Sequence, residues 1–287
     1  MLGAQGQLGK AVQQVLLRNG LPFTAPGRLQ ADVTDTDKLN ALLKSFFPDF
    51  VINCAAYNDV ERAEQENERA FCVNAQAPAQ LAEMCRRQRA MLFHFSTDYV
   101  FDGTKGDYYT EADCPNPLGV YGASKYQGEC DVLAAGGDFA AVFRLSWLFG
   151  EGRQNFLYKL EDWATRQKTL RISEDEVSIP TYTGDVADAI LAAAAKRVGG
   201  LYHLASTGCC SRYEWAKYYL AARRLQVEIV PVPMSSFPVM ARRPLFSPLS
   251  NRKLSGVLGC GLPSWQAAID RYLADIQNSR VCPADLR

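Results

Sequence analysis

Two side chains four residues apart, Tyr121 and Lys125 in VYGASKYQGE, are of the types that can hand a proton to a developing oxyanion. One helical turn would set them on the same side. A free phenol titrates near pH 10, too high for efficient acid–base work at neutral pH. A lysine ammonium within about 5 Å favours phenolate and brings that value down. Spacing alone carries little weight, because 13 Tyr in 287 residues yield roughly half a Tyr-x-x-x-Lys by chance. A second instance, Tyr213 and Lys217 in RYEWAKYY, makes the point. There Ser211 and Glu214 form the pattern of a capping box, a structural reason for the segment. The first instance instead follows a hydroxyl-rich turn, Ser96, Thr97 and Asp98 in FHFSTDYVFDG, at 24 residues from Thr97. The combination is more specific than either part.

Such groups need a scaffold. Apolar runs at 21–25, 49–56, 90–96 and 139–147 read as buried strands. Between them, 10–19, 35–47, 70–88 and 122–135 carry helical periodicity. Strand–helix alternation with nearly continuous apolar strands predicts an α/β fold, a Rossmann-type doubly wound parallel sheet, with ligands at the strands' C-terminal ends. Past Gly150 the pattern loosens into helices near 155–168, 183–197, 211–224 and 264–277. The Pro-rich run 231–250 reads as a surface loop over a site. The expected organisation is a dinucleotide domain over 1–150 that also takes in parts of about 180–205, with 151–287 mainly a smaller substrate-binding lobe interleaved with it.

At the start, GAQGQLGK places Gly3, Gly6 and Gly9 directly before a helix. Such a turn lets backbone approach a pyrophosphate, whose charge then rests on helix N-terminal amides. Only Met1 and Leu2 precede Gly3, where a strand of about five residues is expected. Loss of a central strand would be costly, so the expectation is that the true chain starts earlier. In PGRLQADVTD, Arg28 stands where an acidic residue would hold a ribose 2′-hydroxyl. An arginine there can neutralise a 2′-phosphate, which favours NADPH and leaves NADH open. Asp32 and Val33 follow as a pair that could flank an adenine.

Composition excludes several classes. Hydrophobic content of 48% and charged content of 22% are those of a globular chain. With formal charge zero and no basic stripe, no nucleic-acid partner is expected. Arg86, Arg87 and Arg89 end a helix, where cations complement the dipole. Nine cysteines without a Cys-x-x-Cys, several in apolar runs such as Cys54 and Cys85, suggest buried thiols in a reducing cytosol. The two histidines, His94 and His203, sit in strand-like runs, which disfavours a His-based zinc site or a Ser-His-Asp triad. No apolar run is long enough for a membrane span and no signal peptide is visible, so a cytoplasmic protein without a membrane partner is expected.

Together GAQGQLG, NCAAYNDVERAE, NAQAP, STDYVFDG, VYGASK, RLSWLFG and SIPTYTGDVA resemble the extended short-chain dehydrogenase/reductases, and within them the dTDP-4-dehydrorhamnose reductase family. The resemblance runs from Gly3 to about residue 277. It implies NADPH-dependent reduction of a dTDP-4-keto sugar, dTDP-4-dehydro-6-deoxy-L-mannose, to dTDP-L-rhamnose. Reduction or epimerisation of another nucleotide sugar, and a catalytically silent regulatory role, are the alternatives. By resemblance Tyr121 is the catalytic acid, Lys125 its partner and Thr97 the hydroxyl of the triad. Gly6, Gln7 and Leu8 match the pyrophosphate turn, and Asp32, Val33, Ala55, Ala56, Tyr57 and Asn58 the stretches around the adenosine half. Thr97, Asp98, Tyr99 and Trp147 match nucleotide-sugar contacts, and Arg243 a candidate for the substrate diphosphate. Some members bridge subunits through a metal held by an acid two residues after the third glycine. Ala11 stands there, so no metal is expected, and homodimer and monomer both stay open.

Overall fold

Strands covered on both faces cannot show alternating polarity, because both of their sides need apolar residues. The computed structural model, which describes residues 1–281, has four such strands in one parallel sheet. In chain order the elements begin with α1 (Gln7–Arg18), α2 (Thr36–Phe46), β1 (Phe50–Asn53), α3 (Val60–Ala63) and α4 (Asn67–Phe71). A single π turn, Cys72–Gln76, leads into α5 (Ala77–Arg87), then β2 (Met91–Thr97), α6 (Val120–Gly136), β3 (Ala140–Leu145) and β4 (Leu148–Phe149). There follow α7 (Phe156–Arg166), β5 (Thr169–Ser173), β6 (Val177–Ser178), β7 (Thr181–Tyr182), α8 (Thr183–Ala195) and β8 (Gly200–His203). The last are β9 (Cys210–Ser211), α9 (Arg212–Ala222), β10 (Glu228–Val232), α10 (Arg252–Leu258) and α11 (Trp265–Val281).

The central sheet runs β1-β2-β3-β8. Successive side chains of β2 point to opposite faces. Phe93 and Phe95 pack with Leu8, Val12 and Val15 of α1 and Val186 and Ile190 of α8. Leu92 joins Leu39 and Leu43 of α2, Leu81 and Cys85 of α5 and Val132 of α6 on the other side. Burying each such side chain contributes about 1.5–3 kcal/mol, and it fixes the register that brings the C-terminal ends of β2 and β3 together. A separate aromatic cluster gathers Trp147, Phe149, Trp215 and Tyr272 with Leu157 and Leu160 of α7. Local signals agree with this packing. Asp35 caps α2, Asn155 caps α7, and Ser211 with Glu214 closes the capping box expected before α9. Arg86 and Arg87 lie in the last turn of α5, where the dipole favours them.

Two departures are instructive. The run 21–25 is extended but forms no strand. Its neighbour is the two-residue stretch before Gly3, in which Leu2 bonds Ile52 (2.9 Å) and Cys54 (3.0 Å) of the β1 edge, while the Met1 ammonium donates to Thr24 (2.7 Å). One donor does not make a ladder. The second departure is β5, which pairs in parallel with β10 as a small separate sheet. β10 starts the Pro-rich run, and Pro231 is tolerated because the strand is an edge. The remainder of that run is mostly irregular, as expected, but it is not only a surface loop: Ala241, Ser247 and Leu249 are buried, Leu249 against Phe101 and Tyr109, with bridges at Phe246 and Leu249.

His94 and His203 are buried, as strand positions imply. Cys85 is buried and Cys54 half-buried, but Cys114, Cys130 and Cys260 are exposed, so burial is not general among the thiols. Cys282 lies outside the described residues. Among the described residues no helix is long and apolar enough to cross a membrane.

Candidate active site

A cleft of about 360 Å³ opens at the C-terminal ends of β2 and β3. Its floor is the glycine turn. Gly3 has φ +67°, and a Cβ there would collide with the backbone of Cys54 and Ala55, so the turn lies directly on the end of β1. Gly9 is held as closely against Gly3 and Ala4. Gly6 caps α1 without a side chain, and the first amides of the helix have no intrahelical acceptor. Gln7 adds a buried Nε2 with no partner among the described residues. Gly6, Gln7 and Leu8 therefore face the cleft as an anion cradle suited to the pyrophosphate of a dinucleotide.

The wall beside it is built from β1 and the π turn. Asn74 lies in that turn, fully buried. Its amide accepts from the Tyr57 N–H (2.8 Å) and donates to the Tyr57 carbonyl (3.0 Å) and the Ser124 hydroxyl (3.0 Å). Ser124 in turn donates to the Tyr121 carbonyl (2.9 Å). One side chain thus joins the 55–58 wall to the helix that carries Tyr121. Ala56 and Asn58 line the cleft, while the Tyr57 hydroxyl donates to Glu66 at 3.1 Å.

Thr97, Tyr121 and Lys125 converge on the same cleft. α6 can come this close because Gly122 and Gly128 have no Cβ to strike the carbonyls of Tyr99 and Asn74. Lys125 is 2% exposed, and its ammonium donates to the Phe95 carbonyl at 2.5 Å. Burial lowers its pKa to about 8, against the opposing pull of Glu129. Burial also pushes the Tyr121 phenol up to about 12, outweighing the hydrogen bond with Thr97 that favours phenolate. The expectation of a phenol below its free value is corrected, since desolvation outweighs the groups that favour phenolate. A phenol held protonated is the form that donates. Gly122→Ala should push α6 off Tyr99 and misplace Tyr121. A kcat about 10²-fold lower with an unchanged far-UV spectrum is the expected result, checked by steady-state kinetics and circular dichroism.

Asp98 and Trp147 complete the far wall. The Asp98 carboxylate is 2% exposed and accepts from Ser247 (2.7 Å), Ser178 (2.8 Å), Thr97 (3.2 Å) and Ser146 (3.3 Å). It clasps four chain segments rather than offering itself freely to a ligand. Trp147 adopts a left-handed backbone at φ +35°, an uncommon conformation for a bulky residue. Arg212 sits 3.5 Å from its ring centroid on one side and Trp215 stacks at 5.6 Å. Tyr99 meets the Tyr121 ring edge-on at 5.9 Å.

Other expected site residues stand apart from this cleft. Arg243 pairs with Glu61 at 2.8 Å, and its Nε is buried without a partner among the described residues. Exposed Arg28 pairs with Asp32 at 3.1 Å. The Thr34 amide and hydroxyl hold the Asp32 carboxyl down to about 2, so it stays ionised. Val33 belongs to the core against α2. The residues around Tyr213 and Lys217 supply α9 to the aromatic cluster and do not line the cleft. Ser96 of the hydroxyl-rich turn lines it as expected, and so do Ser146, Gln154 and Asn155, for which the sequence carries no site motif. Asn155 had one signal, a helix-capping residue before an amphipathic run. Ala11 is buried against the sheet, and among the described residues no group of three or more His, Cys, Asp or Glu could hold a metal.

Residues 1–278 match the family model described as RmlD substrate binding domain. A dTDP-4-dehydrorhamnose reductase of Burkholderia thailandensis is 36% identical, with 96% of this chain and 97% of that protein covered. One of Mycobacterium tuberculosis is 37% identical over 96% of this chain and 92% of its own length. Among solved structures, a dTDP-4-dehydrorhamnose reductase of Bacillus anthracis in complex with NADP superposes with a TM-score of 0.92. It is 30% identical, and 96% of this chain and 97% of that one are covered.

Proposed function

Because the chain belongs to the RmlD substrate binding domain family, we propose that it is an NADPH-dependent reductase converting dTDP-4-dehydro-6-deoxy-L-mannose to dTDP-L-rhamnose. The observation that carries the reading is the convergence of Thr97, Tyr121 and Lys125 on one cleft, beside an anion-ready helix N-terminus. The glycine turn would hold the pyrophosphate, Asn58 and Ala56 the wall next to it, and Lys125 the nicotinamide ribose. When bound, the dihydronicotinamide supplies the hydride. Tyr121 delivers its phenolic proton to the sugar O4 as negative charge develops there. Thr97 turns its one hydroxyl proton from Asp98 to that oxygen, steadying it near the phenol as a second donor to the growing charge. Lys125, as a cation in a water-poor site, stabilises the phenolate left behind. Asp98 keeps Thr97 and the ends of β2 and β3 in register through its serine contacts.

The same reading assigns 1–150, with parts of about 180–205, to the cofactor and the described part of 151–287 mainly to the sugar nucleotide. Thr97, Asp98, Tyr99, Trp147 and Arg243 are the proposed substrate contacts. Gly3, Gly6, Gln7, Leu8, Arg28, Asp32, Val33, Ala55, Ala56, Tyr57 and Asn58 are the proposed cofactor contacts.

Net oxidation of NADPH by the purified protein, dependent on the dTDP-4-keto sugar, is the expected result. An epimerase would restore its cofactor and show no net loss, which would overturn the proposal. Arg28→Ala should raise KM for NADPH about tenfold, roughly 1.4 kcal/mol, and leave KM for NADH within twofold. Equal effects on both cofactors would remove Arg28 from the 2′-phosphate site.

A further inference from the structure

The segment Asn58–Glu64 in NDVERAE carries two carboxylates that leave their own short helix for two different elements. Asp59 caps α3 through the Arg62 amide at 3.1 Å, which fixes the backbone from which both project. Glu64 Oε1 accepts the Val120 N–H at 2.8 Å. That amide opens α6, whose cap residue Gly119 supplies no side chain of its own. A Cβ on Gly119 would lie 2.6 Å from the Glu64 oxygen. The catalytic helix is therefore capped from 56 residues upstream, at the residue immediately before Tyr121. A carboxylate at that end also complements the helix dipole.

Glu61 reaches the other way. Its Oε2 accepts the amides of Met240 (2.7 Å) and Ala241 (3.1 Å), and its Oε1 accepts from Arg243 (2.8 Å). Three hydrogen bonds hang the Arg243 segment on α3. They leave the Arg243 Nε buried and without a partner among the described residues, and its charge acts on Tyr99 beside Tyr121. The same stretch includes Asn58, which lines the cleft.

We propose that Glu64 and Glu61 are positioning residues for the reaction, Glu64 setting Tyr121 through the start of α6 and Glu61 holding Arg243 at the substrate side. One turn of helix beside the cofactor wall thereby ties the proton donor to the sugar-nucleotide contact. This rests on the reductase reading above. Neither carboxylate touches the reacting atoms, so their loss should separate the kinetic constants.

The test uses the full chain. Glu64→Ala should lower kcat about tenfold with KM for the dTDP-4-keto sugar within twofold, and Glu64→Gln, which keeps an acceptor, should recover most of it. Glu61→Ala should raise that KM about tenfold, and raise the Kd of dTDP-L-rhamnose by a similar factor in calorimetry, with kcat within threefold. Unchanged constants, or equal losses in kcat and KM for both variants, would overturn the proposal. If Glu64→Ala does not fold, Glu64→Gln replaces it, with a drop of about threefold in kcat expected and no drop counting against. If wild-type protein turns nothing over, the functional reading fails by itself. The Glu61 claim is then decided by dTDP-L-rhamnose binding alone, where equal Kd values for wild type and Glu61→Ala refute it.

Discussion

Tyr121→Phe is expected to lower kcat for the reduction by about 10³-fold, inside the range of about 10²–10⁴ that a positioned general acid contributes. The change deletes one oxygen and keeps the ring. The edge-on contact with Tyr99 survives, and Thr97 keeps its bond to Asp98. Stability should therefore stay within about 1 kcal/mol of wild type, and KM within a few-fold. Since burial holds the phenol protonated to about pH 12, its titration is not the source of any limb in the neutral range. Tyr213→Phe is the matched control. It alters a residue of the capping-box helix at the aromatic cluster, and kcat within twofold of wild type is expected. Kinetics with a thermal melt on each variant check both statements. A Tyr121→Phe enzyme retaining a tenth of wild-type kcat would remove Tyr121 from the proton-donor role.

Lys125→Met should cost activity and give back stability. Burial lowers the ammonium to about 8 in the folded chain, while an unfolded lysine titrates near 10.4. Between those values the unfolded chain holds more protons, so stability rises with pH through that window. Below pH 8 the lysine is charged in both states, and the full cost of burying it stands, about 3 kcal/mol. Methionine fills similar volume without charge. It also leaves the Phe95 carbonyl without the donor it has now, which costs about 1–3 kcal/mol. The balance at pH 7 is a melting temperature equal to wild type or a few degrees above it, with kcat about 10²-fold lower. Wild-type kcat should fall as pH passes about 8, where the cation is lost. Melting curves and pH–rate profiles of the two proteins test this. A variant several degrees less stable than wild type would refute it.

What could be read from the sequence was local. The glycine turn, the Tyr121–Lys125 spacing and the Ser211–Glu214 box each lie within one or two turns of chain, where spacing determines contact, and the strand–helix alternation is a string of such local patterns. The same rule explains the misses. Asp98 takes its partners from 146, 178 and 247, and no periodicity joins those positions. α6 begins at a bare glycine, so its cap is visible only once Glu64 is seen against Val120. The 21–25 run has strand composition, but a ladder needs a neighbour, and composition does not supply one. The raised pKa of Tyr121 escapes the sequence for a related reason. Spacing reports the charge next door, while desolvation depends on everything packed around the ring.

Synthesis sets a clock on Asp98. Its three serine partners lie 48, 80 and 149 residues further along the chain. At about 5–20 residues per second, the last of them leaves the ribosome roughly seven to thirty seconds after Asp98 does. The closure entropy of so long a loop grows only slowly with its length, so the delay is one of time more than of free energy. Until Ser247 arrives, the carboxylate cannot be buried with its full set of donors and the wall of the cleft stays open. The nascent sheet can pair β1, β2 and β3 early, while the serine clasp on Asp98 closes only after Ser247 has emerged. A polypeptide stopped before Ser247 would carry Thr97, Tyr121 and Lys125 and still be inactive.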